Sequence, residues 1–229
     1  MKNFIDYDIW ASTTEGKPGV MVFLDPGHGG LIMGKYTTAG KQFDHGTFQF
    51  FEGVWNREIV KQLSVKFKNN NITHAFTTIS NHDESLSERI FKISNIIKSY
   101  PKCNFILLSI HANAGGVESA NGMELFTTPS LTDSDYAANY MFPYFYNLGL
   151  KVRINRAQNN EFDKESNFYI IRKAEELGCI AMLYEGGFFT NKEEATKMLE
   201  SEFQGNMVNA LFMGIKDIII KIKTDGTVR

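Results

Sequence analysis

Cysteine is scarce in this chain, with only Cys103 and Cys179 among 229 residues. That scarcity excludes a disulfide framework and every multi-cysteine zinc motif, so a metal site has to be built from histidine and carboxylates. An excess of charge is also missing. Lys plus Arg number 24 against 26 Asp plus Glu, a net charge of −2, which leaves no basic field to capture nucleic acid or anionic lipid. Long apolar runs are absent as well: Phe105 to Ile110 and Ile218 to Ile220 fall far short of the ~20 residues that span a bilayer, so no membrane span is expected. The N-terminus, Met1 to Trp10, has one early lysine followed by Asp6 and Asp8 and lacks the apolar core of a secretory signal. On that reading the chain starts out in the cytosol.

What is present is ordinary globular composition, 43% hydrophobic and 22% charged, at a length that suits one domain. From residue 20 onward, apolar runs of strand length alternate with longer amphipathic stretches, the pattern of βαβ units. Strands are predicted at Val20 to Asp25, Thr73 to Thr78, Asn104 to Ile110, Gly122 to Thr127 and Cys179 to Glu185. Several are nearly all apolar, as expected where helices cover both faces of a sheet. Helical spacing links Ile59, Leu63 and Phe67, then Leu86, Ile90, Ile93 and Ile97, and two more helices are predicted over 134–148 and 204–222. The fold class is therefore α/β: a single domain with a largely parallel sheet covered by helices on both faces. Residues 1–19 read as an N-terminal extension, in which the period-two run Ile5, Tyr7, Ile9 suggests an added edge strand, residues 20–222 as the single folded domain and 223–229 as a tail. The polar stretches 29–51 and 151–167 read as loops.

Candidate chemistry lies at the predicted strand ends. Leu24-Asp25-Pro26-Gly27-His28-Gly29-Gly30 ends a strand in a Gly-rich turn that presents His28, and Leu107-Leu108-Ser109-Ile110-His111-Ala112-Asn113 repeats the design with His111. In open α/β sheets that edge is where ligands bind. A lone histidine there could equally be structural; two at one edge could share a metal. Leu183-Tyr184-Glu185-Gly186-Gly187 brings a third strand end with a carboxylate, which needs a cation, a proton or water if it is buried. Two histidines on zinc usually take a carboxylate third and leave a position open. Glu52 is the candidate, with Asn56 one turn on as its hydrogen-bonding support. Its alternative reading is a favourable negative charge at a helix N-terminus. His45, in a loop near Glu52, stays a rival ligand, whereas His74 and His82 read as solvated.

His-Glu-x-x-His, Pro-Cys-x-x-Cys and Gly-x-Ser-x-Gly are all absent, which removes the common zinc protease, nucleobase deaminase and serine hydrolase signatures. Gly29 to Tyr36 has the Gly and Lys spacing of a phosphate-binding loop, but Tyr36 stands where Ser or Thr should hold magnesium and no helical period follows. Nucleotide binding is set aside.

Over roughly residues 20 to 215 the chain resembles the zinc-dependent N-acetylmuramoyl-L-alanine amidases of bacterial cell walls and phage endolysins. The resemblance is carried by Asp25-Pro26-Gly27-His28-Gly29-Gly30, Glu52 with Asn56, Leu86 with Arg89 and Asn95, Ser109 to Ala114, and Glu185-Gly187-Phe188 with Asn191. It implies a mixed, mostly parallel sheet with helices on both faces, residues 20–222 as a catalytic domain, His28, Glu52 and His111 as zinc ligands and Glu185 as the catalytic carboxylate, in an enzyme hydrolysing the amide between N-acetylmuramic acid and L-alanine of peptidoglycan. Ile79 departs from the family's arginine after the strand threonine, and the short span Ala112 to Gly122 leaves no room for the plug helix of some bacterial members. With no signal and no wall-binding module recognised, the expectation is a phage-type lysin. It would be made in the cytoplasm, released with a holin's help if phage-encoded, and monomeric, with peptidoglycan or muropeptides as its partner. A catalytically silent peptidoglycan binder and a zinc hydrolase of another amide or peptide bond are the competing readings.

Overall fold

In the computed structural model, described here for residues 9–10, 19–154 and 162–229, a seven-stranded mixed sheet is covered by helices on both faces. In chain order the elements are β1 (Ile9–Trp10), β2 (Val20–Pro26), β3 (Leu31–Ile32), β4 (Lys35–Tyr36), β5 (Gln42–Asp44), β6 (Gln49–Phe51), α1 (Glu52–Asn69), β7 (His74–Phe76), α2 (Leu86–Ser99) and β8 (Asn104–Asn113). There follow β9 (Glu124–Thr127), α3 (Asp133–Phe145), β10 (Lys164–Glu165), α4 (Tyr169–Glu176), β11 (Cys179–Phe188), α5 (Lys192–Leu199) and α6 (Ser201–Asp225). The main sheet runs β1-β7-β2-β8-β11-β9-β10. The pairs among β7, β2, β8 and β11 are parallel, and antiparallel pairing enters at β1 with β7 and at β11 with β9.

The apolar strands are buried on both sides because alternate side chains enter two different cores. Val20, Val22 and Leu24 of β2 and Ile106, Leu108 and Ile110 of β8 pack under α1, α3, α5 and α6. Met21 and Phe23, with Phe105 and Leu107, pack under α2 and α4. The long α6 buries Met207, Leu211, Ile215 and Ile218 on one stripe, as the sequence spacing predicts, and ends at Gly226, whose φ of +75° closes the helix in a left-handed turn. Among the described residues no helix is long and apolar enough to cross a membrane.

Several local expectations change. The stretch 29–51 is not simply loop: it forms two hairpins, β3 with β4 and β5 with β6. The first turns through Met33 and Gly34, both with positive φ, so the segment that imitates a phosphate-binding loop is a hairpin and no helix N-terminus follows it. Strand pairing near the N-terminus is seen at β1, beside β7; Ile5 and Tyr7 lie outside the described residues. His74 is not solvated. It is fully buried, with its ring held by Ser64 Oγ at 2.7 Å and the Ile72 carbonyl at 2.9 Å, and burial pulls its pKa down to about 4. A neutral imidazole satisfied on both nitrogens suits a core position. His82 is exposed, as expected.

Candidate metal centre

Three strand ends and one helix start meet at a single edge of the sheet. His28 lies just past β2 and adopts φ +62°, a conformation uncommon for a residue with a Cβ and a sign that its surroundings hold it there. A buried network does the holding. Asp25 accepts hydrogen bonds from Thr77 and Ser109 and pairs with Arg89 of α2 at 2.8 Å. The Arg89 guanidinium also donates to the carbonyls of Pro26 and, at 3.0 Å, His28. Burial works to raise the Asp25 carboxyl, but the Arg89 charge and these donors win and hold it below the usual carboxylate range.

Asn56 was expected to support the Glu52 carboxylate, and it does something else: its Nδ2 donates to the Gly27 carbonyl at 3.0 Å, fixing the turn that carries His28. Gly27 itself must lack a side chain, because a Cβ there would lie 2.1 Å from Cε1 of His111. Gly53 is equally constrained by the Gly29 carbonyl, 1.8 Å from where its Cβ would be. The segment around Ile79 also reaches this turn, since Gly30 N–H donates to the Asn81 carbonyl at 2.8 Å and Arg57 binds the Ser80 carbonyl through Nε and Nη2. Those latches run through backbone carbonyls and leave no residue-type signal in the sequence.

Glu52 is the first residue of α1, so its charge sits at the helix N-terminus, and its carboxylate lies against both histidines. Oε1 lies 3.0 Å from His111 Nδ1 and 3.2 Å from His28 Nε2, and accepts the Ala112 N–H at 3.3 Å. Burial alone would raise this carboxyl; the two imidazoles overcome it and hold the pKa down to about 2. His111 moves in the other direction. Burial disfavours its charge, yet the hydrogen bond to Glu52 and the carboxylates of Glu185, Glu52 and Asp25 shift it upward overall.

One donor atom from each of His28, Glu52 and His111 lies within 4.8 Å of the others. Tetrahedral zinc with bonds of about 2.1 Å sets its ligand atoms roughly 3.4 Å apart, close to the 3.0 and 3.2 Å that separate Glu52 Oε1 from His111 Nδ1 and His28 Nε2. His28 Nε2 and Glu52 Oε2 are buried and make no well-formed hydrogen bond among the described residues, the nearest opposite groups being Glu52 Oε1 at 3.2 Å and Lys41 Nζ at 3.8 Å, so both retain lone-pair capacity for an ion. The His₂-carboxylate donor set therefore fits a zinc-type cation.

Glu185 stands beside this group. It is in register with His111 on β8 and with Glu124 on β9, so the three share one row and one face of the sheet. Its Oε2 is shielded and unpartnered among the described residues, and burial pushes its pKa up to about 8 despite the opposing charge of His111. His45 takes no part in the donor group: its Nε2 lies 2.9 Å from the Phe189 carbonyl and its ring packs against Phe43 and Phe48.

The sequence pattern of the N-acetylmuramoyl-L-alanine amidase family matches residues 22–217. The N-acetylmuramoyl-L-alanine amidase LytC of Bacillus subtilis is 26% identical over 201 residues, which cover 86% of this chain and 35% of LytC; the chain thus spans about a third of that relative's length. The uncharacterized protein YqiI of Bacillus subtilis is 26% identical over 205 residues, 90% of this chain and 87% of YqiI. Among solved structures, an N-acetylmuramoyl-L-alanine amidase of Clostridium difficile 630 superposes with a TM-score of 0.69 at 23% identity, covering 92% of this chain and all of that one. The catalytic domain of CwlV from Paenibacillus polymyxa gives 0.66 at 23% identity, with 88% of this chain and 98% of that one covered. These structures share the fold.

Proposed function

The chain belongs to the N-acetylmuramoyl-L-alanine amidase family, and on that premise we propose that it hydrolyses the amide between N-acetylmuramic acid and L-alanine of peptidoglycan. The supporting observation is a buried Glu185 Oε2, without a hydrogen-bond partner among the described residues, beside three converged donors, His28, Glu52 and His111. In this reading those three residues hold a zinc ion. When bound, the ion supplies Lewis acidity towards the scissile carbonyl and acidifies water at the same point. Glu185 moves the proton: Oε2 takes it from the attacking water and hands it to the departing alanine amine, and a bound cation beside it keeps the carboxylate ionised and ready to accept. Asp25 and Arg89 hold the His28 turn in place, and Asn56 braces it from α1.

The finer reading, a phage-type lysin active without an activator, draws support from the span 114–122, which is short and irregular and contains no helix. Purified protein incubated with muropeptides tests the proposal. New free amino groups on L-alanine with intact glycan, and one zinc per chain by elemental analysis, are expected. Cleavage within the stem peptide, or no tightly held transition metal at neutral pH, would overturn it. Rapid lysis of intact cells on external addition is the expected mark of the lysin type; activity confined to extracted wall argues against it.

A further inference from the structure

The row that carries His111 and Glu185 does not stop at the reaction centre. Its next member, Glu124, is buried at 4% exposure, and three donors surround its carboxylate. Asn113 Nδ2 donates to Oε2 at 2.7 Å, while Arg153 Nε and Lys164 Nζ both reach Oε1. Two cations share one carboxylate oxygen, so Glu124 by itself neutralises only one of them. Glu194, the other acid near Arg153, is turned to the backbone N–H groups of Gly122 and Phe188.

Both cations are held in place and only partly enclosed. The Arg153 guanidinium lies over the Phe188 ring, 5.2 Å from its centroid, and Nη1 donates to the Asn121 carbonyl at 3.3 Å. Its Nη2 has no partner among the described residues. Lys164 lies over Phe126, and its ammonium keeps two protons beyond the one given to Glu124. The two side chains are 33% and 29% exposed, and both meet the carboxylate of Glu124, which stands in the row of Glu185 and His111. A guanidinium fixed by an acid and a ring is preorganised to bind an oxyanion.

We propose that Arg153 and Lys164, held by Glu124, form a subsite for a free carboxylate on the second residue of the stem peptide. This inference rests on the amidase reading and adds the substrate class to it. Distance selects the second residue. Adjacent strands lie about 4.8 Å apart, which puts Glu124 roughly 5 Å from the Glu185 strand and 10 Å from the His111 strand. An extended peptide advances about 3.5 Å per residue, so a carboxylate on the second residue falls roughly 7 Å beyond the scissile carbonyl. A carboxamide there would offer a neutral acceptor and two N–H groups that face only donors.

The test compares N-acetylmuramoyl-L-alanyl-D-glutamate with a free α-carboxylate against its α-carboxamide, with the zinc-loaded full chain. A charge-assisted hydrogen bond implies a preference for the carboxylate of about 10- to 100-fold in kcat/KM, mostly in KM. In Arg153→Met the ratio should fall towards 1. A purely structural role would lower both substrates together and keep the ratio. If Arg153→Met fails to fold by circular dichroism, Lys164→Gln provides the same readout while Arg153 still partners Glu124. Equal cleavage of both substrates by the unaltered protein, or an unchanged ratio in the variants, overturns the subsite alone. Cleavage of neither overturns the amidase reading and the subsite with it.

Discussion

Replacing Glu185 with Gln should stabilise the metal-free protein while disabling it. Burial lifts the Glu185 pKa from an ordinary 4.5 to about 8, so the folded state binds a proton that the unfolded chain releases. For a pKa raised on folding, the associated stability is complete below the unfolded value and is lost as pH rises towards the folded one. At about 1.36 kcal/mol per pH unit, the loss reaches at most ~5 kcal/mol above pH 8. Because Glu185 is not fully enclosed, solvent screening brings the realistic figure to roughly 2 to 3 kcal/mol. Gln keeps the shape and carries no charge to desolvate. Thermal unfolding of chelator-treated protein should place Glu185→Gln above the unaltered chain by roughly 5 to 10 °C at pH 8. The gap should close as pH falls towards 4.5 and shrink when zinc is restored, since a nearby cation favours the ionised carboxylate. The same variant should retain zinc and lose on the order of 10² to 10⁴ in turnover. A variant that melts at or below the unaltered protein at every pH would refute the burial argument, and one that comes out metal-free would refute the division between ligand and base.

The other glutamate should fail differently. Glu52→Ala removes the donor that touches both histidines, and the expected product is a zinc-poor protein with little activity; zinc retained at full stoichiometry by elemental analysis would contradict this. His45→Ala should leave zinc content unchanged, because its ring nitrogen faces the Phe189 carbonyl. Asp25→Ala leaves the buried Arg89 charge with only the exposed Asp83 at 3.9 Å as its acid and should cost about 3 to 5 kcal/mol in urea unfolding; a loss below about 1 kcal/mol would show that the network is not what holds the turn. The depressed Asp25 pKa adds a pH dependence, with its stability present above the ordinary 3.8 and lost as pH falls through the lowered value. The raised pKa of His111 makes protons compete with metal from above the ordinary imidazole value of 6.5 downward, so equilibrium dialysis should show zinc release beginning above that pH, and an affinity flat from pH 8 to pH 5 would be the contrary result.

Legibility divides along a physical line. β2, β8 and β11 were readable because both faces are buried and almost every residue is apolar; α1, α2 and α6 because one stripe repeats over three or more turns. The helices α4 and α5 were not marked in the sequence. Each has 8 residues and buries only three, too few repeats for a period to show, and the N-cap that starts α5, Asn191 accepting the Glu194 N–H, is a single-residue signal. The hairpins β3 with β4 and β5 with β6 escaped for a related reason: strands of two or three residues have no alternation to read.

The site was legible to the extent that its chemistry resides in side-chain identity at strand ends. His28, His111 and Glu185 each follow an apolar run, so the strand pattern alone places them at one edge, and β8 pairs with both β2 and β11 in register. Glu52 lies on no strand, and its place depends on where α1 begins. What the sequence hid were interactions whose partner is backbone or is distant in the chain. Asn56 could be read as a helper of Glu52 because it lies one turn on, but the helix turns its amide to the Gly27 carbonyl. His74 reads as solvated at a strand start, yet β7 lies inside the sheet between β1 and β2, and an interior strand buries its first residue as readily as its middle. Glu124 offered no signal by itself. Its significance comes from β9 running antiparallel to β11, which brings the beginning of one strand to the edge where the others end. Strand direction is a property of the assembled sheet, and a reading that assigns chemistry only to carboxyl ends of strands misses every residue that an antiparallel neighbour delivers to the same edge.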